Sequence, residues 1–395
     1  MIFAIKFLKS FGCGKEQRSL LTKYLKSKLG KESPDDPCLR GAIKWLCLAQ
    51  DASRSGGISA AYYFGKSWDV PYPETSGYAI ATFLAYDDLC NEPSLFQRSL
   101  QIGDWELKMQ TVSGGILSSP SKSFTRVFNT AQVCLGWCLL HERTQDPRYL
   151  HAALKAGGYL LDSQESDGRW LKDTYCGSRT YHARVDWSLL RLAHLSGDKK
   201  YARAAILNLY WVIHQATETG WYRQCGFDDD QPLTHLIGYT LRGLLECHNL
   251  GHPDVLAMDI LPRLEIAADF LCDRLRTTPL NGIPGMLHAS FDNTWNSSTQ
   301  YSCLTGNAQL ACFLYRLAQI TKKPEYADSA DILVSALKRV QLLSTPFPEI
   351  NGAMPGSYPI FVGYMRNAYP NWAAKFFADA LIMKGNYLKG FVLGA

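Results

Sequence analysis

Apolar residues recur along most of the chain at the spacing of an amphipathic α-helix. In one representative stretch they fall at Tyr201, Ala204, Ala205, Leu207, Leu209 and Trp211, where each residue has another of the set three or four positions away. Residues three and four apart share one face of a helix, whereas a half-buried strand would alternate with a period of two. No strand-like alternation competes for these segments, so the pattern predicts an all-α protein.

One phrase, the end of a helix followed by a turn with glycine, recurs six times. The helix end carries an aromatic residue or leucine and usually a glutamine, and the copies lie at 45–57, 105–115, 159–170, 211–221, 270–285 and 337–356. Glycine suits a helix end because it adopts the left-handed conformation without strain. The period of roughly fifty to sixty-five residues leaves room for two helices and their loops. The sequence therefore predicts six helical hairpins that close into an (α/α)6 toroid.

The turns inside the predicted hairpins carry signals for the start of a second helix. Asp146-Pro147, Asp198 and Pro324 stand where a new apolar pattern begins. Asp is a favoured N-cap residue, and proline is tolerated in the first helical turn because its missing N–H has no partner there. These positions predict short turns between the two helices of a hairpin.

Length and composition fit one large domain built from repeats. The chain has 395 residues, of which 47% are hydrophobic and 19% charged, and no stretch resembles a linker. We assign residues 37–395 to the toroid and residues 1–36 to a basic helical segment. Lysines alternate with apolar residues in that segment, which indicates either weak contact with an anionic membrane surface or the solvated outer face of a helix packed on the toroid.

The net charge and the cysteines indicate which classes of partner and which cellular compartment to expect. The net charge of +5 is spread along the chain, which argues against nucleic acid and is compatible with an anionic glycan. The twelve cysteines lack regular spacing and several lie in apolar helical patterns, as expected of reduced, buried thiols in a cytoplasmic protein. No Walker loop, dinucleotide glycine motif or convincing metal-ligand set occurs, so we predict neither a cofactor nor a metal.

The starts of the inner helices are the predicted position of the pocket. In a ring of hairpins, the loops that lead into the inner helices converge on one end. Six segments with this placement are rich in polar and aromatic residues, namely 72–78, 128–132, 181–187, 234–239, 303–309 and 369–375. A helix start needs only one capping group, and these segments hold more polar side chains than capping requires.

These segments hold side chains of the kind that bind sugars. Aromatic rings stack on pyranose faces, and amides or charged groups bond hydroxyls. The alternative for each aromatic residue is packing in the core. The predicted substrate-binding residues are Tyr78, Asn129, Gln132, Tyr181, Trp187, Asn307, Gln309, Trp372 and Lys375.

Two chemistries fit the ionisable residues in the same segments. Hydrolysis of a glycosidic bond normally uses two carboxyl groups, which Glu74, Asp186 and the run Asp228–Asp230 could supply. Proton abstraction beside a uronate carboxylate uses a His or Tyr base together with groups that hold the carboxylate. The predicted catalytic residues are His235, Tyr239, His182, Arg184, Asp186 and Glu74. The alternative for each histidine is a structural, hydrogen-bonded role, and for the acidic run a solvated loop that could bind a cation.

The repeat itself resembles known families. The phrase Gln-x-x-Asp-Gly-x-Trp at 164–170 is similar to the repeat endings of α/α-toroid glycosidases, polysaccharide lyases and uronyl epimerases, and also to those of terpenoid cyclases and prenyltransferases. The inner-helix phrases at 73–78, 234–239, 304–309 and 369–372 look like those of toroid proteins associated with bacterial polysaccharide biosynthesis. This second resemblance implies a carbohydrate substrate and assigns no reaction.

Three functions remain open at this point. The first is an enzyme that acts on an acidic oligosaccharide or polysaccharide, by proton abstraction at C5 as a lyase or epimerase, or as a glycoside hydrolase. The second is an isoprenoid enzyme, although the run Asp228–Asp230 ends at Gln231 and so departs from the Asp-x-Asp-Asp motif of class II terpenoid cyclases. The third is a non-catalytic glycan-binding protein, since a fold does not fix a function.

Overall fold

The computed structural model describes residues 31–227 and 231–389, and α-helices dominate them. The predicted basic segment therefore lies almost entirely outside the described residues, and so does the acidic run Asp228–Asp230. The helices are α1 (Asp35–Ser53), α2 (Pro73–Cys90), α3 (Pro93–Met109), α4 (Val127–Thr144), α5 (Pro147–Asp162), α6 (Ala183–Ser196), α7 (Lys199–Ile213), α8 (Thr234–Asn249), α9 (Pro253–Leu256), α10 (Ile260–Thr277), α11 (Leu304–Thr321), α12 (Pro324–Val340) and α13 (Asn371–Leu388).

Six helices form the inner ring and six form the outer one. The inner helices α2, α4, α6, α8, α11 and α13 each pack on the next, and α13 packs back on α2. The outer helices are α3, α5, α7, α10, α12 and α1. Because α13 pairs with α1, the sixth hairpin is made from opposite ends of the described chain. The predicted (α/α)6 toroid of six hairpins is confirmed.

The two rings differ in burial, as their sequences require. Inner helices such as α4 and α11 bury residues on every face, whereas outer helices such as α5 and α7 bury one stripe and expose the other. A helix that is apolar all round belongs inside a larger structure, and an amphipathic one covers its surface. The inner helices are therefore held by neighbours on both sides of the ring and by the outer layer.

Two short antiparallel ribbons join loops at one end of the ring. Strand β1 (Ala61–Tyr63) pairs with β4 (Ala368–Pro370), and β2 (Ser302–Cys303) pairs with β3 (Ser357–Tyr358). The first ribbon ties the loop after α1 to the loop before α13. It therefore fastens the hairpin that closes the ring.

The repeated glutamine links neighbouring outer helices. The side-chain amide of Gln110 donates to the carbonyl of Gly114 in its own turn and to the carbonyl of Ala152 on the next outer helix, at 3.1 and 2.9 Å. Gln164 makes the equivalent pair of bonds to Gly168 and Ala204. Each amide therefore joins the turn that follows its own helix to a carbonyl inside the next outer helix. This pair of hydrogen bonds explains why glutamine recurs in the phrase.

The repeated glycine allows the turn to approach the next outer helix. Gly114 has a φ of +95°, and a Cβ added there would lie 2.1 Å from the carbonyl oxygen of Lys155. Gly352 has a φ of +82°, and a Cβ added there would lie 2.1 Å from the carbonyl oxygen of Gly41. Both the backbone conformation and the contact therefore exclude a side chain.

The predicted starts of the outer helices are also confirmed. Asp146 and Asp198 are N-caps whose side chains accept hydrogen bonds from the N–H groups of Arg148 and Lys200, and Pro324 is in the first turn of α12. Among the described helices, none is long and apolar enough to cross a membrane.

Candidate active site

A layer of six side chains crosses the central channel, one from each inner helix. They lie in the second turn of their helices, if the 3-10 turn Thr180–His182 is counted as the start of α6. We call this set the middle layer, and all six members were predicted from the sequence. Its members are Tyr78, Gln132, Arg184, Tyr239, Gln309 and Lys375.

Contacts among these side chains close the layer. The hydroxyls of Tyr78 and Tyr239 lie 3.4 Å apart, although α2 and α8 stand on opposite sides of the ring. Arg184 donates through Nε to Gln132 at 2.8 Å and stands 5.2 Å from the ring centre of Tyr239. Lys375 lies 5.0 Å from the ring centre of Tyr78. The layer therefore divides the channel into a loop side and an opposite side.

A buried carboxyl group lies on the loop side of this layer. Glu74 accepts hydrogen bonds from the hydroxyls of Tyr72 at 3.0 Å, Tyr175 at 3.1 Å and Tyr239 at 3.5 Å. The hydroxyl of Tyr175 also lies 2.9 Å from the side-chain oxygen of Asn129, so its single hydrogen is shared between two acceptors. We call these five residues the Glu74 cluster.

The surroundings of Glu74 adjust its acidity. Burial raises the pKa of Glu74 to about 7, while the hydroxyls of Tyr72 and Tyr175 and the charge of Arg184 act in the opposite direction. Burial disfavours the ionised form because a carboxylate loses its hydration, and hydrogen bonds restore only part of it. Glu74 can therefore either donate or accept a proton near neutral pH.

Exposed aromatic side chains and a cation surround the entrance to this cluster. Phe124, Tyr175 and Phe227 are 43%, 38% and 50% exposed. The guanidinium of Arg126 lies 4.8 Å from the ring centre of Phe124 and 5.1 Å from that of Tyr175. It donates a hydrogen bond to the carbonyl of Thr174 and makes no ion pair among the described residues. Ring faces and a cation without a carboxylate partner are what an acidic sugar requires.

The opposite side of the middle layer opens into a cavity of about 830 Å³, which we call the chamber. Tyr78, Arg184, Trp187, Tyr239, Gln309 and Lys375 lie at its inner end, and apolar residues of α2, α4 and α13 form most of its wall. Asp88 and Lys389 stand at its mouth, near the C-terminal ends of inner helices. The sequence predicted a pocket at the inner-helix starts, whereas this cavity extends from the middle layer into the opposite half of the channel.

Connection lengths explain this difference. Two residues connect α2 to α3, α4 to α5, α6 to α7 and α11 to α12, at the end where the chamber opens. At the other end the loops are long, as in 54–72, 110–126 and 341–370. These loops bring Tyr72 and Tyr175 over Glu74, and Tyr364 over His235, so they cover the inner-helix starts.

Both predicted histidines lie outside the Glu74 cluster. His235 stacks on Tyr364 with ring centres 4.5 Å apart, and its Nδ1 lies 3.9 Å from the sulfur of Cys303. His182 stands edge-on to Trp170 and Tyr181 at 5.9 and 5.0 Å. Burial lowers the pKa of each histidine to about 3, which keeps both neutral at physiological pH. Neither contacts a carboxyl group that would orient it as a base.

Asp186 faces away from the channel. Its carboxyl group accepts a hydrogen bond from Asn208 of α7 at 2.7 Å, and its other oxygen is buried without a partner among the described residues. Burial raises its pKa well above the usual range. The structure does not bring Asp186 together with Glu74, so the two are not placed as a pair across one bond.

The remaining predicted residues have mainly supporting positions. Asn307 bonds the backbone of Leu287 and Cys303 and therefore holds the loop before α11. Tyr181 is buried against Phe128, with ring centres 5.3 Å apart. Trp372 lies edge-on to Tyr72 at 6.3 Å, beside the Glu74 cluster.

Three residues of the loop side were missed from the sequence. Tyr72 is the first residue of the predicted segment 72–78, but its side chain was given no role. Tyr175 and Arg126 lie in loops, and their relation to Glu74 depends on how those loops fold back over the ring. Among the described residues, no group of three or more His, Cys, Asp or Glu side chains could hold a metal ion.

Solved structures share this fold across nearly the whole chain. An unsaturated glucuronyl hydrolase specific for heparin has a TM-score of 0.70 at 12% identity, over 90% of this chain and 99% of that chain. An unsaturated glucuronyl hydrolase mutant from Streptococcus agalactiae, complexed with dGlcA-GalNAc6S, has a TM-score of 0.63 at 13% identity, over 92% and 94%. Cellobiose 2-epimerase from Bacillus thermoamylovorans B4167 has a TM-score of 0.64 at 10% identity, over 87% and 97%. No protein-family model and no curated protein sequence matches the chain.

Proposed function

We propose that this protein is a carbohydrate-active enzyme that removes the C5 proton of a uronate in an acidic oligosaccharide, with Glu74 as the base. The observation that carries the proposal is a buried carboxyl with a pKa near 7, held by tyrosine hydroxyls beside exposed aromatic rings. The resemblance of the fold to glucuronyl hydrolases and a sugar epimerase supports a carbohydrate substrate.

The neighbours of Glu74 favour proton abstraction over hydrolysis. Among the described residues, the side chains that bond Glu74 belong to Tyr72, Tyr175 and Tyr239, and none is a second carboxyl group. Two-carboxylate hydrolysis needs an acid and a base or nucleophile on either side of the bond. A single carboxylate surrounded by hydroxyl donors suits a base that works with a tyrosine acid.

The proposed reaction begins with a uronate that displaces the hydroxyl of Tyr175 from Glu74. Its carboxylate pairs with Arg126, and this charge pairing stabilises the negative charge that develops as the proton leaves C5. The Glu74 carboxylate takes the C5 proton. In elimination, the C4–O bond then breaks and the hydroxyl of Tyr239 protonates the leaving oxygen. In epimerisation, the hydroxyl of Tyr239 instead gives its proton to C5 from the opposite face, and the C4–O bond stays intact.

Glycoside hydrolysis is the second candidate. The glucuronyl hydrolases among the similar structures favour it, and Glu74 at a pKa near 7 could serve as its general acid. In this alternative, water attacks the anomeric carbon and C5 keeps its hydrogen.

The test incubates the full chain with uronate oligosaccharides prepared from heparin and, separately, with neutral cello-oligosaccharides. Elimination creates an unsaturated uronate that absorbs in the near ultraviolet, and epimerisation in D₂O places deuterium at C5. We expect one of these signals on the acidic substrates, and Glu74→Gln should reduce it about a hundredfold or more.

Glu106→Gln is the matched control, because Glu106 is also a fully buried carboxyl with a strongly raised pKa but lies on the outer helix α3. Its activity should stay within about twofold of the unmodified protein, since it has no role in positioning substrate. New reducing ends without ultraviolet absorbance or deuterium at C5 would establish hydrolysis instead.

A further inference from the structure

The chamber has the composition of a binding site that the proposed reaction does not use. Its wall carries small and apolar side chains that include Ala81, Ala85, Leu135, Leu139 and Met383. Its volume of about 830 Å³ lies within the usual range for sites that bury most of a small ligand. The lining also holds charged side chains, but most of them are paired with one another, so the groups left for a ligand suit an apolar chain better than a sugar.

The inner end of the chamber holds a cation without a carboxylate partner. Arg184 is 4% exposed, donates to the side-chain oxygen of Gln132 through Nε, and makes no ion pair among the described residues. Three rings surround its guanidinium, with centres 5.1 Å away at Trp187, 5.2 Å at Tyr239 and 5.9 Å at Tyr78. These rings offset only part of the cost of burying the charge.

Other cations of the chamber are already paired with carboxylates at 2.5 Å. The pairs are Arg143 with Asp88, Arg191 with Glu142, Arg242 with Glu246, and Lys375 with Asp379. Lys389 is exposed at the mouth and has no ion pair among the described residues. Arg184 is therefore the buried lining cation, in the described part of the chain, that an anionic ligand could neutralise.

We propose that the chamber binds a single-chain amphiphile with a carboxylate head, with the carboxylate against Arg184 and the apolar chain directed along α2, α4 and α13 toward the mouth. The distance from Tyr78 to Leu89 along α2 corresponds to roughly 16 Å of helix, which sets the length available to the chain. This site is separated from Glu74 by the middle layer and does not depend on the proposed reaction.

The probe is decanoate, and its uncharged counterpart is decan-1-ol. Calorimetry on the full chain, prepared without detergent, measures the dissociation constant of each. We expect saturable binding of decanoate at least about tenfold tighter than that of decan-1-ol, because a buried guanidinium bonds a carboxylate more strongly than a hydroxyl. The cation decyltrimethylammonium should bind more weakly than both.

Two variants locate the site. Arg184→Gln should raise the dissociation constant of decanoate about tenfold, because the charge-dependent contact is lost. The dissociation constant of decan-1-ol should stay within about twofold. Ala85→Phe fills part of the chamber beside its apolar wall, and it should raise the dissociation constants of both ligands about tenfold or more. Arg40→Gln on the exposed face of α1 and Leu207→Phe on the exposed face of α7 are matched controls that should change neither constant.

Several results would overturn the proposal. They are the absence of saturable decanoate binding, equal affinities for decanoate and decan-1-ol, and unchanged binding in Ala85→Phe. If a folded Arg184→Gln variant loses the same amount of affinity for both ligands, the assignment of the carboxylate head group to Arg184 is also overturned. If Arg184→Gln does not give the native circular dichroism spectrum, the three probes on the unmodified protein test the charge and Ala85→Phe tests the location.

Discussion

The two sides of the middle layer are built by the same six helices and yet have opposite chemical character. On the loop side, long connections cover the helix starts and bring tyrosine hydroxyls to Glu74. On the opposite side, two-residue turns leave an open chamber whose wall is mostly apolar. Loops can place polar groups independently of a packed core, whereas a helical wall presents only what its packing permits. The comparison therefore assigns the proposed catalysis to the covered side and the proposed chamber ligand to the open side.

The two tyrosines that meet across the channel give the sharpest test of this comparison. Tyr239→Phe should reduce turnover about a hundredfold, because its hydroxyl is the proposed proton donor and bonds Glu74. Tyr78→Phe loses a hydroxyl of the same layer that lies 3.4 Å from the hydroxyl of Tyr239 but makes no hydrogen bond to Glu74 among the described residues, so its turnover should fall less than about threefold. Steady-state kinetics on both variants measures the difference. Equal losses would mean that the layer acts as one structural unit.

Removing the buried carboxyl of Glu74 should stabilise the loop side while it abolishes activity. Because burial raises the pKa of Glu74 from 4.5 to about 7, the folded protein keeps a proton that the unfolded chain loses above pH 4.5. The destabilisation by the buried carboxyl therefore grows between pH 4.5 and 7 and levels off above pH 7. Glu74→Gln should remove it, and so raise the free energy of unfolding by roughly 3 kcal/mol at pH 8 and change it little at pH 4. Urea titrations at both pH values measure this effect, with the exposed Glu92→Gln as control. A loss of stability at pH 8 would contradict it.

The pH dependence of activity separates a base from an acid at Glu74. If the carboxylate removes a proton, kcat/KM should fall about tenfold for each pH unit below 7 and level off above it. The profile is measured on the acidic substrate between pH 5 and 9. A decline above pH 7 instead of below it would indicate that protonated Glu74 is the active form, as in the hydrolase alternative.

The positive charge of Arg126, beside Tyr175, should favour acidic substrates over neutral ones. Arg126→Gln removes this cation and should lower kcat/KM for a uronate substrate about fivefold, through both a higher KM and a lower kcat, because a partly exposed charge contact contributes about 1 kcal/mol. Arg169→Gln, which breaks an exposed ion pair with Asp167, is the control. An unchanged kcat/KM in Arg126→Gln would show that the carboxylate is held elsewhere.

The predictable part of the site consists of polar residues inside otherwise apolar helices. Tyr78, Gln132, Gln309 and Lys375 stood out in the sequence because an inner helix has no other reason to carry them there. Arg184 and Asp186 were predicted together, yet they face opposite ways. Residues two apart on a helix point about 200° from each other, so one lines the chamber and the other meets Asn208.

The sequence by itself determined the helical class, the six hairpins and the six members of the middle layer. Their signals are local: hydrophobic periodicity, the repeated glutamine and glycine, and polar residues inside otherwise apolar helices. Only the tertiary structure decided that α13 pairs with α1, that Tyr72 and Tyr175 reach Glu74, and that the open cavity lies at the end with short turns. Those features depend on loop paths and on contacts between residues far apart in the chain. No local pattern encodes them, since a loop's direction is fixed only by the surfaces on which it packs.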